Sequence, residues 1–227
     1  MSLGKKAVPL VVTVLVVSWV LLARLWATKT EYINGQLPEM SVEDLFVQST
    51  LAVRGSVTGS GTSFVVESPS GMRLIYTDYP VTVTETVRGT AGETVTLRMP
   101  GGTVGRLEQI YTIGPELRTG EEYLLFLYQP GMGGGFNTAG DYYYILGLTQ
   151  GVLSSADGIT WTDQNDREMN LPQALAAYGD IPIDRDYARR AFVAAQEDSL
   201  AQGKITREEY DQRLAELNTY ATIVTEE

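Results

Sequence analysis

This sequence predicts a mainly β domain, an antiparallel barrel or sandwich, with one N-terminal transmembrane helix ahead of it and a C-terminal helical hairpin behind it. Three observations predict this. The run Ala7–Ala27 is apolar with Arg24 as its one charge. Short runs rich in Val, Thr, Tyr and Leu alternate with Gly, Ser, Asp and Pro between Ser49 and Leu153. From Asn170 onward the pattern switches to helical spacing with capping signals.

The 21-residue apolar run would make a helix about 31 Å long, close to the ~30 Å hydrocarbon core of a bilayer. Lys5 and Lys6 precede it, while Arg24 and Lys29 follow it with Glu31 offsetting part of their charge. That balance favours a cytoplasmic N-terminus at residues 1–6 and an extracytoplasmic remainder. A cleaved signal peptide is the competing reading. The length of the run and the lack of a small-x-small site in Arg24-Leu25-Trp26-Ala27 favour an uncut signal-anchor. The expected location is the bacterial inner membrane, single-pass, with the C-terminal domain in the periplasm.

Residues 28–48 read as a polar connector holding one short helix, with Ser41 as N-cap and Asp44 three residues on. Residues 49–169 read as the extracytoplasmic β domain. Its expected strands are Leu51–Val57, Ser63–Glu67, Met72–Thr77, Tyr79–Val87, Glu93–Met99, Val104–Ile113, Tyr123–Tyr128 and Tyr142–Leu146, with Gly147–Ser154 closing the set. Ser68-Pro69-Ser70-Gly71 is a hairpin turn. Glu85 interrupts the apolar face of Val81, Val83 and Val87, so that strand lies at an edge or keeps the face partly wet. The continuous run Tyr123–Tyr128 predicts a central strand.

Residues 170–227 form the helical tail. Asn170-Leu171-Pro172 starts one helix, and a longer one follows over about Asp184–Gln202. Thr206 and Glu209 make a capping box for the last helix, whose Tyr210, Leu214 and Leu217 share a face.

Composition narrows the chemistry. The chain of 227 residues has no His and no Cys, and its net charge is −11. Triads, thiol nucleophiles, imidazole or thiolate metal sites and disulfides are therefore excluded. After Lys29 the one lysine is Lys204. Residues 32–227 hold 13 basic and 27 acidic side chains, a net of −14 that disfavours nucleic acid. No cofactor, metal or catalytic residue is expected.

Two stretches resemble known families. Val53-Arg54-Gly55-Ser56-Val57, Ile75-Tyr76-Thr77-Asp78-Tyr79, Val83–Gly89 and Gly120–Leu127 together resemble uncharacterised exported bacterial domains and, loosely, the netrin-type module, an OB-like barrel. That resemblance covers roughly residues 49–153 and implies an OB-like fold. The metalloprotease inhibition of netrin-type modules is not implied, because the N-terminal Cys it uses is missing. Leu200–Tyr210 with Leu214 and Leu217 is similar to a short C-terminal helical motif of bacterial proteins that implies oligomer contacts.

Four local patterns bear on function. Gly131–Asn137 lacks the strand-Gly-helix context and the Lys of a phosphate cradle, and reads as a hairpin tip or contact loop. Asp157 and Asp163–Asp166 miss the spacing of a calcium loop. Glu121, Glu122 and Asp78 are the candidates for a carboxylate pair. Tyr142, Tyr143 and Tyr144 with Tyr123 and Tyr128 suggest aromatic packing or a recognition face. The expectation is a non-catalytic accessory or scaffolding subunit of a larger membrane protein complex, homo- or hetero-oligomeric. Its contact candidates are Thr13, Ser18, Trp19, Trp26, Phe136, Tyr142, Tyr144, Tyr210, Leu214 and Leu217. The alternatives are a stand-alone envelope binding module for peptide or glycan, and a carboxylate-dependent hydrolase.

Overall fold

The computed structural model describes residues 28–224. The expected membrane helix, with Thr13, Ser18, Trp19 and Trp26, lies outside the described residues. Among those described, no helix is long and apolar enough to cross a membrane.

The elements run β1 (Lys29–Ile33), α1 (Val42–Gln48), β2 (Leu51–Val57), β3 (Thr62–Glu67), β4 (Arg73–Arg88), β5 (Thr94–Pro100), β6 (Gly102–Val104), β7 (Leu107–Tyr111) and β8 (Glu122–Tyr128). Then follow β9 (Tyr144–Ile145), a 3₁₀ turn (Leu148–Gly151), β10 (Val152–Ser154), β11 (Thr160–Asp163), β12 (Glu168–Asn170), α2 (Leu171–Tyr178), α3 (Tyr187–Ala201), α4 (Arg207–Glu216) and β13 (Thr222–Val224). The main sheet orders β12-β11-β10-β8-β2-β4-β3-β13, with β5 added on β4 and β9 on β8.

The mainly β expectation holds, and the main sheet is antiparallel. A closed barrel does not: neither sheet closes, and β5 meets the segment before β9 at a single bridge, Leu97–Tyr143. The connector is also more ordered than expected, since β1 pairs in parallel with β7 in a separate three-stranded sheet. Its helix starts as predicted, with Ser41 and Asp44 closing a reciprocal capping box.

The largest revision is β4. Two strands were expected, Met72–Thr77 and Tyr79–Val87, parted at Asp78, but one 16-residue strand forms. β3 and then β2 line one of its edges, and β5 lines the other. Thr58 N–H donates to Pro80 O, so the missing N–H of Pro80 faces the β2–β3 connection, where no ladder bond is lost. β4 is not an edge strand. Glu85 keeps its face wet and pairs across the sheet with Arg54 at 2.9 Å.

Strands β2 and β8 are buried on both faces, which explains the unbroken apolar run in β8. Leu51, Val53, Leu125 and Leu127 point into one core with Val81, Leu97 and Ile145. Ala52, Leu124 and Phe126 point into a second core with Phe46, Trp161, Met169 and Ala174. Thus α1 and α2 share one cluster and cap the outer face of the sheet. The tail is not purely helical, because β13 returns to pair with β3.

Candidate functional site

A cavity of about 500 Å³ opens where the sheet meets α3. Its walls come from elements far apart in sequence: Tyr76 of β4, Pro100 of β5, Tyr111 of β7, Tyr128 of β8, Phe136 of the Gly-rich loop and Tyr144 of β9. Tyr187, Ala188 and Ala191 of α3 close one side. The rings form a connected set, with Tyr76 6.3 Å from Phe136 and 6.2 Å from Tyr144, and Tyr128 5.7 Å from Tyr144. These are offset and tilted separations typical of aromatic packing.

Among the described residues, not one charged side chain lines this cavity, in a protein of net charge −11. Its polar groups are tyrosine hydroxyls and the amides of Gln48 and Asn137. Burial pushes the Tyr128 hydroxyl up to about 12, and burial plus neighbouring tyrosines push Tyr76 and Tyr144 further up. Each hydroxyl therefore stays neutral across the physiological range. The arrangement can hold an uncharged, largely apolar group and offer it hydrogen bonds.

A buried ion pair stands behind the tyrosines. Arg98 of β5 donates from Nε and Nη2 to the two carboxylate oxygens of Asp78, each at 2.7 Å. Its Nη1 donates to Thr138, and its guanidinium lies 3.7 Å from the Tyr142 ring centroid and 4.7 Å from that of Phe64. Tyr142 in turn exchanges hydrogen bonds with the Thr138 backbone, both at 3.0 Å. The pair fixes β5 and the loop before β9, and so sets the back wall of the cavity.

The structure brings Phe136 and Tyr144 together in the cavity as a joint surface. It withdraws three other contact candidates from solvent: Tyr142 is 2% exposed, Leu217 4% and Tyr210 8%. Tyr142 serves the Arg98 cluster, and Tyr210 and Leu217 seat the last helix. Leu214 on that helix is half-buried. The Gly-rich loop is not a free hairpin tip. Gly133 and Gly134 donate to Leu217 O and Thr219 O, and a Cβ on Gly133 would come 2.5 Å from Thr219 O.

The acidic candidates are committed elsewhere. Glu122 bonds Arg54 at 2.8 Å and Thr84 at 2.8 Å, which hold its carboxyl below the usual range. Glu121 accepts from Tyr123, and Asp78 from Arg98. Asp163 bonds Arg167, and Asp157 accepts the backbone N–H groups of Ile159 and Thr160. Among the described residues, no cluster of three acidic side chains is placed to hold a metal ion.

Sequence reasoning missed Tyr76, Tyr111 and Tyr187 as cavity residues. Each is one tyrosine in an ordinary local pattern, and no spacing signals that three distant elements converge. Comparison with family models, curated proteins and solved structures returns no match for this chain.

Proposed function

We propose that this chain is a non-catalytic accessory subunit, anchored by residues 7–27 in the bacterial inner membrane with its β domain outside the cytoplasm. In this reading the tyrosine-lined cavity engages another membrane protein subunit through an apolar, uncharged segment. The observation that carries the reading is the cavity itself: six rings from six separate elements and, among the described residues, no lining charge. Tyrosine-rich, charge-depleted surfaces are what interface cores use.

The test is purification of the full chain in mild detergent with mass spectrometry of the co-purifying proteins, for wild type and Ala191→Arg. Ala191 is exposed on α3 at the cavity wall, so the arginine fills the cavity without removing a packed side chain. A stoichiometric partner present in wild type and lost in the variant supports the proposal. A partner retained by the variant removes the cavity from it, and recovery as a monodisperse monomer alone overturns the subunit reading. A second reading, a stand-alone envelope module for peptide or glycan, is favoured by the hydroxyl and amide groups around the same rings. It calls for saturable binding of such a ligand by the monomer.

A further inference from the structure

The three-stranded sheet β1-β7-β6 keeps one face exposed. On its inner face Gln109 is 5% exposed and accepts from the Ile75 N–H at 2.7 Å, which fastens the sheet to β4. On the outer face Tyr32 and Ile110 stand opposite each other in register and are 65% and 37% exposed. Thr30, Thr103 and Glu108 share that face, and the Glu108 carboxylate accepts from the Thr30 hydroxyl at 2.8 Å. A chain of net charge −11 thus presents here a ring, a branched aliphatic side chain and, among the described residues, a single hydrogen-bonded carboxylate.

The sheet begins beside the apolar run. β1 starts at Lys29, two residues after Ala27, where that run ends. Two residues of chain reach at most about 7 Å. Lys29 N–H donates to Arg106 O at 2.7 Å, so the β6–β7 turn lies at the same end of the sheet. Lys29 and Arg106 are both exposed there, and Lys29 also pairs with Glu31. With residues 7–27 in a membrane, these two cations lie at the level of the lipid phosphates, where such side chains settle.

The headgroup layer on each side of a bilayer is about 6 Å thick. A strand rises about 3.3 Å per residue, so an upright β1 would carry Tyr32 about 10 Å beyond Lys29 and out of that layer. A β1 lying along the surface keeps both Tyr32 and Ile110 within it. Tyrosine is favoured in that layer, because its ring is apolar while its hydroxyl stays hydrated.

We infer that the outer face of the β1-β7-β6 sheet lies flat on the membrane that residues 7–27 span, with Tyr32 and Ile110 inserted among the lipid headgroups. The partner is the bilayer surface and not a further protein chain. The contact rests on the anchor reading and is separate from the tyrosine cavity. It fixes the tilt of the β domain, and with it the height at which the cavity meets a neighbouring subunit.

The chain has no cysteine, so single-cysteine variants take a label without background. Tyr32→Cys, Ile110→Cys and Ile159→Cys of the full chain are labelled with the fluorophore NBD. Each is reconstituted into phosphatidylcholine vesicles that carry a nitroxide on the headgroup or high on the acyl chain. Ile159, 50% exposed before β11, is the reference, because β11 lies toward the opposite end of the main sheet from β3 and β4, on which the small sheet packs. Flotation of the vesicles after a carbonate wash reads the anchor separately. The expected result is flotation of all three variants, with quenching at positions 32 and 110 about twofold or more above that at 159. Ile110→Asp is expected to float unchanged and to lower the quenching at position 32 by about half. Flotation with quenching at 32 or 110 no greater than at 159, or quenching that ignores the aspartate, overturns the sheet contact and leaves the anchor standing. A chain that does not float overturns the anchor reading and the sheet contact with it.

Discussion

Two buried arginines make the most instructive contrast in this molecule. Arg98 and Arg88 are 5% and 7% exposed, and Asp78, the partner of Arg98, lies on the same strand as Arg88, ten residues before it. Arg98 has a bidentate carboxylate, a threonine and two aromatic faces. Among the described residues, Arg88 has one long bond, to a carbonyl. Equal burial thus carries opposite meanings. The satisfied cation is architecture, holding the wall of the tyrosine cavity. The unsatisfied one is a cost that the rest of the fold carries. Burial alone does not separate the two; the count of filled donors does.

The largest expected effect falls on the satisfied side. Arg98→Met leaves Asp78 without its partner, and loss of one member of a buried pair is worth about 3 kcal/mol. Urea unfolding is expected to show that loss, and an unchanged midpoint would erase the contrast. Gly133→Ala comes next. The Cβ meets the Thr219 backbone at 2.5 Å, so the Gly-rich loop and the end of the tail must separate, at about 2 kcal/mol. Limited proteolysis after α2 should accelerate. A tail as resistant as wild type would mean that the loop does not seat it.

Arg88→Met is expected to move stability the other way from Arg98→Met, by about 1 kcal/mol in its favour. Destabilisation equal to that of Arg98→Met would make the two arginines alike. The smallest effect at neutral pH belongs to Tyr128. Its folded value of about 12 lies above the unfolded value of 10.0. The unfolded chain therefore releases that proton first. The associated stability is complete below pH 10 and is lost as pH rises toward about 12. Tyrosinate absorbance should appear later in the folded protein than in urea. Coincident titration would place Tyr128 in solvent and open the cavity.

Local grammar was legible wherever neighbouring residues settle the outcome. The Ser41–Asp44 and Thr206–Glu209 capping boxes both form, because each needs only three residues of chain to close. The central position of β8 followed from its apolar run. β4 was read as two strands, Met72–Thr77 and Tyr79–Val87, because continuity through Asp78 is set by a distant strand, β5, which pairs with β4 from Tyr76 to Thr82. Strands β11, β12 and β13 were missed because each is three or four residues long and takes its partners from elsewhere. Of the contact candidates, Phe136 and Tyr144 reached a common surface, while Tyr142 and Leu217 were taken into packing.

By itself, then, the sequence determined the mainly β class, the capped starts of α1, α2 and α4, the acidic balance and the exclusion of His- and Cys-based chemistry. These depend on composition and on contacts within a few residues. Only the tertiary structure decided that β4 runs unbroken and that six aromatic rings enclose one cavity. It alone decided which of two buried arginines meets a carboxylate. Those outcomes rest on which distant strands become neighbours, and a hydrogen bond between distant residues leaves no periodic trace in the chain.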